Sequence, residues 1–187
     1  MTTQILGNVF EHYEEIDSTQ IEIHRRIEKC KIQNGTIIMA NRQTKGKGTH
    51  GRVWHTGNEN NIAFSFYIET ECDPQKLEGI TIEIAQILIK IFEEKYEINL
   101  QMKAPNDLYY NGKKVGGILT ESKIVGQKTK YIVVGIGINT NSKNFSDDIR
   151  NIATSIKKEF NIDVDNLFIV NEFCKIFEKR LMKRIEE

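Results

Sequence analysis

Apolar residues recur along this chain at two different spacings, and each spacing predicts one type of secondary structure. Short runs rich in β-branched and aromatic residues predict β-strands at residues 8–16, 36–40, 61–68, 100–103, 113–122 and 131–139. Apolar residues three and four positions apart predict helices at about 19–32, 75–95 and 166–185, with a short helix near 150–160. The predicted fold is α/β (α+β), a mixed β-sheet with helices mainly on one face, formed by residues 1–187 as a single domain.

Glycine and proline mark the turns between these elements. Asn111-Gly112 predicts a β-hairpin, and Pro105 interrupts the fourth strand. Gly135 and Gly137 alternate within the last strand, so both leave the same face of the sheet without a side chain. Such a bare face predicts floor space for a flat ligand.

Composition and charge narrow the possible classes of function. The 187 residues carry 26 basic and 26 acidic side chains, and the resulting net charge of zero gives no electrostatic case for binding DNA or a membrane surface. The three cysteines show no disulfide or zinc spacing and are predicted to be free thiols, and the four histidines show no metal-ligand spacing. A polar N-terminus and the lack of a long apolar run predict a cytoplasmic protein.

Residues 41–54 hold the densest candidate chemistry. Three glycines alternate with cationic and polar side chains, and the run ends at Trp54, the single tryptophan of the chain. Glycine allows backbone N–H groups to approach an anion, lysine and arginine supply countercharge, and an indole offers a flat surface to a purine. This pattern predicts a loop that wraps a phosphorylated small molecule, although the same composition is also typical of a solvated surface loop.

Five motifs follow one another in a specific order: Asp17-Ser-Thr, Gln43-Thr-Lys-Gly-Lys-Gly-x-x-Gly-Arg-x-Trp54, Lys103-x-Pro-Asn-Asp-Leu108, Lys114-x-x-Gly-Ile-Leu-x-Glu121 and Gly135-Ile-Gly-Ile-Asn-x-Asn141. Each motif is weak when taken alone. Together, from about residue 10 to 156, they resemble the catalytic domain of biotin protein ligases, within the biotin/lipoate ligase superfamily.

The resemblance implies an ATP-dependent biotin protein ligase. Biotin would be activated as biotinyl-5'-AMP with ATP and Mg²⁺, and the biotinyl group would pass to a lysine of a biotin carboxyl carrier domain in a biotin-dependent carboxylase. The N-terminal helix-turn-helix domain and the C-terminal β-barrel domain of longer members are expected to be absent, so DNA binding is not expected. A homodimer through an exposed edge strand is a further expectation.

The resemblance also assigns roles to residues. The catalytic residues would be Lys114, between biotin's carboxylate and the α-phosphate, together with Arg52 and Asp107. Asp107 would orient the incoming lysine or a metal, unless it only forms a turn. Biotin would contact Ser18, Thr19, Gln20, Gln43, Lys47, Gly48, Thr49, Lys114, Gly116 and Gly117. ATP and the adenylate would contact Lys47, Arg52, Trp54, Asn106, Lys114 and Asn139.

Three departures from the family pattern leave other functions open. Thr49 stands where the loop usually has arginine, Ala104 stands where the family has tryptophan, and Gln20 stands where asparagine is common. Loss of an arginine predicts weaker retention of the adenylate. One alternative is a relative that transfers lipoate or octanoate, which an apolar tunnel or a nucleophilic cysteine would favour. The other is a non-catalytic protein that binds biotin or a nucleotide.

Overall fold

A seven-stranded mixed sheet organises the residues that this computed structural model describes, 5–56 and 60–186. The strands are β1 (Val9–Ile16), β2 (Thr36–Gln43), β3 (Ile62–Cys72), β4 (Gln101–Lys103), β5 (Asp107–Tyr110), β6 (Lys113–Val125) and β7 (Lys128–Ile138). They lie in the order β1-β2-β3-β7-β6-β5-β4. The β1–β2 pair is parallel and all the others are antiparallel. The hairpin predicted at Asn111-Gly112 is confirmed, because Tyr110 pairs with Lys113 across it.

Helices cover the two faces of the sheet unequally. The described residues form α1 (Thr19–Glu28), α2 (Ile80–Tyr96), α3 (Ile156–Phe160) and α4 (Asn166–Glu186). The main core lies between the sheet and helices α2 and α4, where the rings of Phe64, Phe66, Phe173 and Phe177 lie with centroids 5.3–6.2 Å apart. A smaller cluster packs Ile23 of α1 against the opposite face. The predicted fold class, with helices mainly on one face, is therefore confirmed.

Two helix boundaries differ from the sequence prediction for local reasons. Helix α1 ends at Glu28 rather than near residue 32, because Cys30 takes a positive φ of 52° and is exposed. Helix α2 begins at Ile80 rather than 75, because Asp73 caps a separate 3-10 turn at Pro74–Leu77 and Gly79 then adopts a φ of 75°. The spacing of apolar residues continues across such turns, so it does not show where the backbone leaves the helical conformation and the helix begins or ends.

Three further facts concern the cysteines, membrane spans and metal ligands. The three cysteines are free thiols, of which Cys30 is exposed and Cys72 and Cys174 are buried. Within the described part of the chain, no helix is long and apolar enough to cross a membrane. Across the same residues, no three His, Cys, Asp or Glu side chains come together as a metal site.

Candidate active site

A cleft of about 450 Å³, including its open mouth, lies on the α1 face of the sheet. We call it the inner cleft. Its polar end is formed by the N-terminus of α1 and the end of β2, and its floor by strands β3, β6 and β7. The lining includes Ser18, Thr19, Gln20, Gln43, Lys47, Gly48, Thr49, Trp54, Ser65, Asn106, Lys114, Gly117, Leu119, Gly135 and Gly137.

The glycine-rich loop that follows β2, residues 44–54, folds as a short hairpin over this cleft. The Trp54 N–H donates to the Gly46 carbonyl at 2.9 Å, and the Gly48 N–H donates to the Arg52 carbonyl at 2.8 Å. A 3-10 turn at Thr49–Gly51 forms the tip. A Cβ at Gly46 would lie 2.4 Å from the Trp54 carbonyl oxygen, so glycine is required at the base of the hairpin. The loop is therefore anchored to the site by its own backbone pairing.

The protein's own side chains cover the face that the glycines leave bare. A Cβ at Gly137 would lie 2.4 Å from Cε2 of Trp54, and a Cβ at Gly135 would lie 2.7 Å from Oε1 of Gln20. Gly135 and Gly137 both line the inner cleft, and the side chains of Gln20 and Trp54 lie directly above them. The glycines bring an indole and a carboxamide close to the sheet, and these two groups form the inner surface of the cleft.

Hydrogen bonds fix the polar end of the cleft. The backbone N–H and the hydroxyl of Thr19 both donate to Oε1 of Gln43, at 2.8 and 3.2 Å. The Thr19 hydroxyl also lies 2.8 Å from the Ser65 hydroxyl. Ser18 caps α1, and its side chain accepts from the Ile21 N–H at 3.5 Å. Because Gln43 uses its oxygen on Thr19, its Nε2 is the donor end of the carboxamide, and one of its two N–H groups donates to the Thr56 hydroxyl at 3.3 Å.

Gln20 presents an unsatisfied acceptor at the same end. Its Nε2 donates to Oε2 of Glu121 at 2.6 Å, while its Oε1 is buried and has no hydrogen-bond partner. His24, one turn further along α1, contacts the same Oε2 at 2.6 Å. The hydrogen bond from His24 is the largest cause that lowers the pKa of Glu121 to about 2, against the opposing effect of burial. Glu121 is therefore ionised and accepts from both side chains.

A β-bulge directs Lys114 into the cleft. Asp107 pairs with Gly117 and Tyr109 pairs with Lys114, but Val115 lies between the paired positions and has no partner on β5. The extra residue reverses the alternation of side chains, so Lys114 and Gly117 point to the same face. A Cβ at Gly117 would lie 3.2 Å from Nζ of Lys114. The bulge therefore determines where the amine is placed.

Lys114 is held by a carboxylate and lies close to an aromatic ring. Its Nζ lies 2.7 Å from Oδ1 of Asp107 and 5.8 Å from the centroid of the Trp54 ring. Both charged side chains are partly buried, which strengthens their attraction relative to an exposed pair. Asp107 therefore forms an ion pair with the cleft lysine at the start of β5.

A second cavity of about 820 Å³, including its open mouth, adjoins the inner cleft, and we call it the outer cavity. Its lining includes Gly48, Thr49, Arg52, Val53, Trp54, Asp107, Tyr109, Lys114, Asn139 and Ile152. Arg52 is exposed and folds back on the loop tip, where its guanidinium donates to the Thr49 hydroxyl at 3.2 Å. Trp54 and Lys114 line both cavities, so they form the boundary between them.

All the site residues chosen from the sequence except Gly116 line one or both of these cavities. A Cβ at Gly116 would meet the Gly137 carbonyl oxygen at 2.9 Å and the side chain of Leu108 at 3.3 Å, which places it on the core face. The resemblance gave both Gly116 and Gly117 a biotin contact, but the bulge at Val115 leaves Gly117, and not Gly116, on the same face as Lys114. Asn106 and Asn139 line the cavities while their amides donate to backbone carbonyls of Ile118 and Thr154.

Sequence reasoning gave no role to three contributors to the polar end, Ser65, His24 and Glu121, although Glu121 is the last residue of the fourth motif. Ser65 is a small polar residue inside an apolar strand and pairs with Gly135. His24 lies four residues after Gln20, a spacing that puts both on one face of a helix. Those two local signals were available in the sequence, whereas the meeting of α1 with β6 at Glu121 required the fold.

Comparisons with known proteins agree on one family. The family model described as the biotin/lipoate A/B protein ligase family matches residues 13–139. The bifunctional ligase/repressor BirA of Bacillus subtilis is 31% identical over 182 residues, which are 96% of this chain and 56% of that protein. The human biotin–protein ligase is 27% identical over 199 residues, covering all of this chain and 27% of that protein. The chain thus spans about half or less of the length of these relatives.

Among solved structures, the biotin protein ligase from Aquifex aeolicus in complex with biotin and ATP superposes with a TM-score of 0.78 at 31% identity. The alignment covers 96% of this chain and 73% of that chain. The shared fold includes the sheet and the helices described above.

Proposed function

Because this chain belongs to the biotin/lipoate A/B protein ligase family, we propose that it is an ATP-dependent biotin protein ligase. It activates biotin as biotinyl-5'-AMP and transfers the biotinyl group to a lysine of a biotin carboxyl carrier domain. The observation that carries this proposal is the position of Lys114, whose amine lies where the inner cleft meets the outer cavity. An acyl-adenylate chemistry needs a cation at that kind of junction, because it joins two anions.

The polar end of the inner cleft suits the ureido ring of biotin. A ureido group has one carbonyl acceptor and two N–H donors. The cleft offers donors from the hydroxyl of Ser18 and from the second N–H of Gln43 Nε2, and it offers an unpaired acceptor at Oε1 of Gln20. Buried polar groups are costly unless they are paired, so a ligand with complementary groups is preferred.

The outer cavity suits the nucleotide. Trp54 offers an aromatic surface, Arg52 and Lys47 lie on the loop that borders the cavities, and Asn139 lines the far wall. Mg²⁺ enters with ATP as part of the substrate and lowers the charge of the phosphates. Asp107 is the carboxylate in the lining of this cavity, and a Mg²⁺ ion on a nucleotide typically takes only one or two protein carboxylates.

The chain's residues then serve two steps. In the first, the carboxylate oxygen of biotin bonds to the α-phosphorus, the bond to the β-phosphate oxygen breaks, and pyrophosphate leaves. Lys114 reduces the repulsion between the carboxylate and the phosphate, and alignment of two reactants can contribute roughly 7–11 kcal/mol. In the second, the carrier lysine attacks the acyl carbon, and AMP leaves as the amine loses its proton. Lys114 stabilises the departing phosphate, while Asp107 holds the Lys114 amine in place.

The cleft favours biotin over the lipoate and octanoate alternatives. An aliphatic acyl chain has no donor for Oε1 of Gln20 and would leave the polar end unpaired. None of the three cysteines lies among the residues that line either cavity, so the described site offers no thiol nucleophile. The non-catalytic alternative shares the binding residues and is separated only by a measurement of turnover.

Two assays test the proposal. Pyrophosphate release is measured with biotin and MgATP, and labelled biotin is followed onto a biotin carboxyl carrier domain. Lys114→Ala is expected to lower the rate of adenylate formation by about 10²- to 10³-fold, the usual loss when one group that stabilises developing charge is removed. Lys130→Ala, on β7 and paired with Glu71 at 2.7 Å, is the matched control. A protein that releases no pyrophosphate with biotin, or prefers lipoate, contradicts the proposal.

We propose in addition that the protein forms a homodimer through β1. This strand lies at one edge of the sheet, beside β2. An edge strand presents unpaired backbone groups to a second chain. Sedimentation velocity over a range of protein concentrations tests this, and a monomer at all concentrations contradicts it.

A further inference from the structure

Three side chains from two elements meet beside the inner cleft. Gln20 and His24 lie one turn apart on α1, and both contact Oε2 of Glu121 on β6 at 2.6 Å. Gln20 is 3% exposed, whereas the side chains of His24 and Glu121 are 33% and 40% exposed, so this contact joins the cleft wall to the protein surface.

The chemistry of this contact determines which way the Gln20 carboxamide faces. A carboxylate can only accept hydrogen bonds, so Glu121 must receive the NH₂ end of Gln20. The oxygen end then lies over Gly135, on the floor of the cleft. A neutral partner that both donates and accepts would not impose this orientation. The negative charge of Glu121 therefore selects one of two carboxamide orientations of similar shape.

This orientation of the Gln20 carboxamide lowers the stability of the folded protein in the absence of a ligand. Oε1 of Gln20 has no partner, and it is the single buried side-chain N or O atom in this state in the part of the chain that the structure describes. A buried acceptor without a partner destabilises the folded protein. Such an atom at a cleft is an indication that a ligand supplies the donor.

We propose that Glu121 is a positioning residue for biotin recognition, which fixes Gln20 so that its oxygen accepts a hydrogen bond from a ureido N–H. His24 supports this role by contacting the same carboxylate oxygen. The inference rests on the proposed function, because it names biotin as the ligand of the inner cleft. It adds that specificity for a ligand with an N–H donor originates in a residue that does not itself contact the ligand.

A double-mutant cycle tests the route of this effect. Calorimetry measures the Kd for biotin in the unmodified protein, Glu121→Gln, Gln20→Ala and the double variant. Each single change is expected to weaken binding about tenfold, the usual effect of losing one buried hydrogen bond. The double variant is expected to bind no more weakly than Gln20→Ala, because Glu121 acts through Gln20. Additive losses overturn the inference.

A second readout separates positioning from general loss of structure. Two biotin analogues are used, each with one ureido N–H replaced by oxygen. The unmodified protein is expected to prefer biotin to at least one analogue by about tenfold, and this preference is expected to fall to about one in Glu121→Gln. Glu121→Asp keeps a carboxylate that only accepts, so it is expected to retain the preference even where binding is weaker. A preference that Glu121→Gln leaves intact overturns the inference.

Controls separate this inference from the proposed function. Glu22→Gln removes a carboxylate on α1 that pairs with Arg25 and Arg26 outside the cleft lining, and it is expected to leave the biotin Kd within about twofold. Urea unfolding confirms that each variant is folded. If the unmodified protein binds no biotin, the proposed function fails. If it binds biotin and Glu121→Gln binds equally well, only the positioning role fails.

Discussion

The indole of Trp54 lies directly over Gly137, so that a Cβ at Gly137 would come within 2.4–2.7 Å of three atoms of the ring. Real Cβ atoms do not tolerate such contacts, and the ring would have to move. The backbone of Trp54 is tied to Gly46, which restricts how the indole can respond. Because Gly137 has no side chain, the indole of Trp54 can lie against β7, where it separates the two cavities.

Gly137→Ala is expected to displace the indole into solvent. Trp54 is the single tryptophan, so its fluorescence reports the displacement directly, as a shift of the emission maximum to longer wavelength. The KM for MgATP is expected to rise by about tenfold, because an aromatic contact typically contributes about 1 kcal/mol or more. An unchanged emission spectrum would show that the sheet accommodates the methyl group and that the contact is not restrictive.

Asp107→Asn is expected to reduce kcat more than the KM for biotin. The change removes the charge that holds Nζ of Lys114 at 2.7 Å while leaving the side chain's shape. A loss of about tenfold to a hundredfold in kcat corresponds to the loss of a charge-assisted hydrogen bond at a reacting group. The Mg²⁺ dependence of the rate provides the control. A large increase in the Mg²⁺ concentration required would identify Asp107 as a metal ligand instead.

Thr49→Arg is expected to strengthen retention of the adenylate. In the structure Arg52 is exposed at the loop tip, and its guanidinium donates to the Thr49 hydroxyl. This cation therefore contacts its own loop in the structure. A second arginine adds bidentate phosphate binding that threonine lacks. The measurement is the amount of free biotinyl-AMP released without acceptor, which should fall relative to the unmodified protein. Equal release from the two proteins would refute the expected leakiness.

Two carboxylates make the stability of the fold depend on pH in the acid range. The pKa of Glu121 is lowered to about 2 chiefly by the hydrogen bond from His24, and the pKa of Glu11 is lowered to about 2 chiefly by the hydrogen bonds from Arg26. The folded state therefore favours the ionised forms. Their stabilisation is complete above about pH 4.5 and is lost as pH falls towards 2.

The expected result is a smaller acid dependence in the variants. Glu121→Gln and Glu11→Gln should each reduce the difference between the free energies of unfolding at pH 6 and pH 3, measured with urea, because a glutamine has no proton to gain. Combining the two should reduce it further, since the residues share no partner. If each variant showed the same pH difference as the unmodified protein, the lowered pKa values would be incorrect.

The fold class followed from the sequence because its signals are local. Strand periodicity, the Asn111-Gly112 turn and the apolar stripe of α4 each act within a few residues, and each agrees with the others. The motif order also placed Lys114, Gln43 and Trp54 at one site. These residues lie close together because the ends of neighbouring elements meet at the same part of the sheet.

The errors arose where non-local contacts decide the outcome. The resemblance gave Gly116 a biotin contact together with Gly117, but pairing with β5 leaves Val115 unpaired and puts Gly116 on the core face. The glycines Gly135 and Gly137 lie in the cleft, but which side chains cover them, Gln20 and Trp54, depends on α1 and the loop hairpin. A bulge and a covering side chain both depend on tertiary contacts, so neither can be predicted from the spacing of residues along the sequence.

The placement of Trp54 and Lys114 in the walls of both cavities has a thermodynamic consequence for ligand binding. A ligand that moves either side chain when it binds in one cavity also changes the shape of the other cavity. Linkage then requires reciprocity: if biotin changes the affinity for the nucleotide by some factor, the nucleotide changes the affinity for biotin by the same factor. Under the proposed function, biotin and the nucleotide therefore do not bind independently, because whichever binds first changes the affinity of the site for the second.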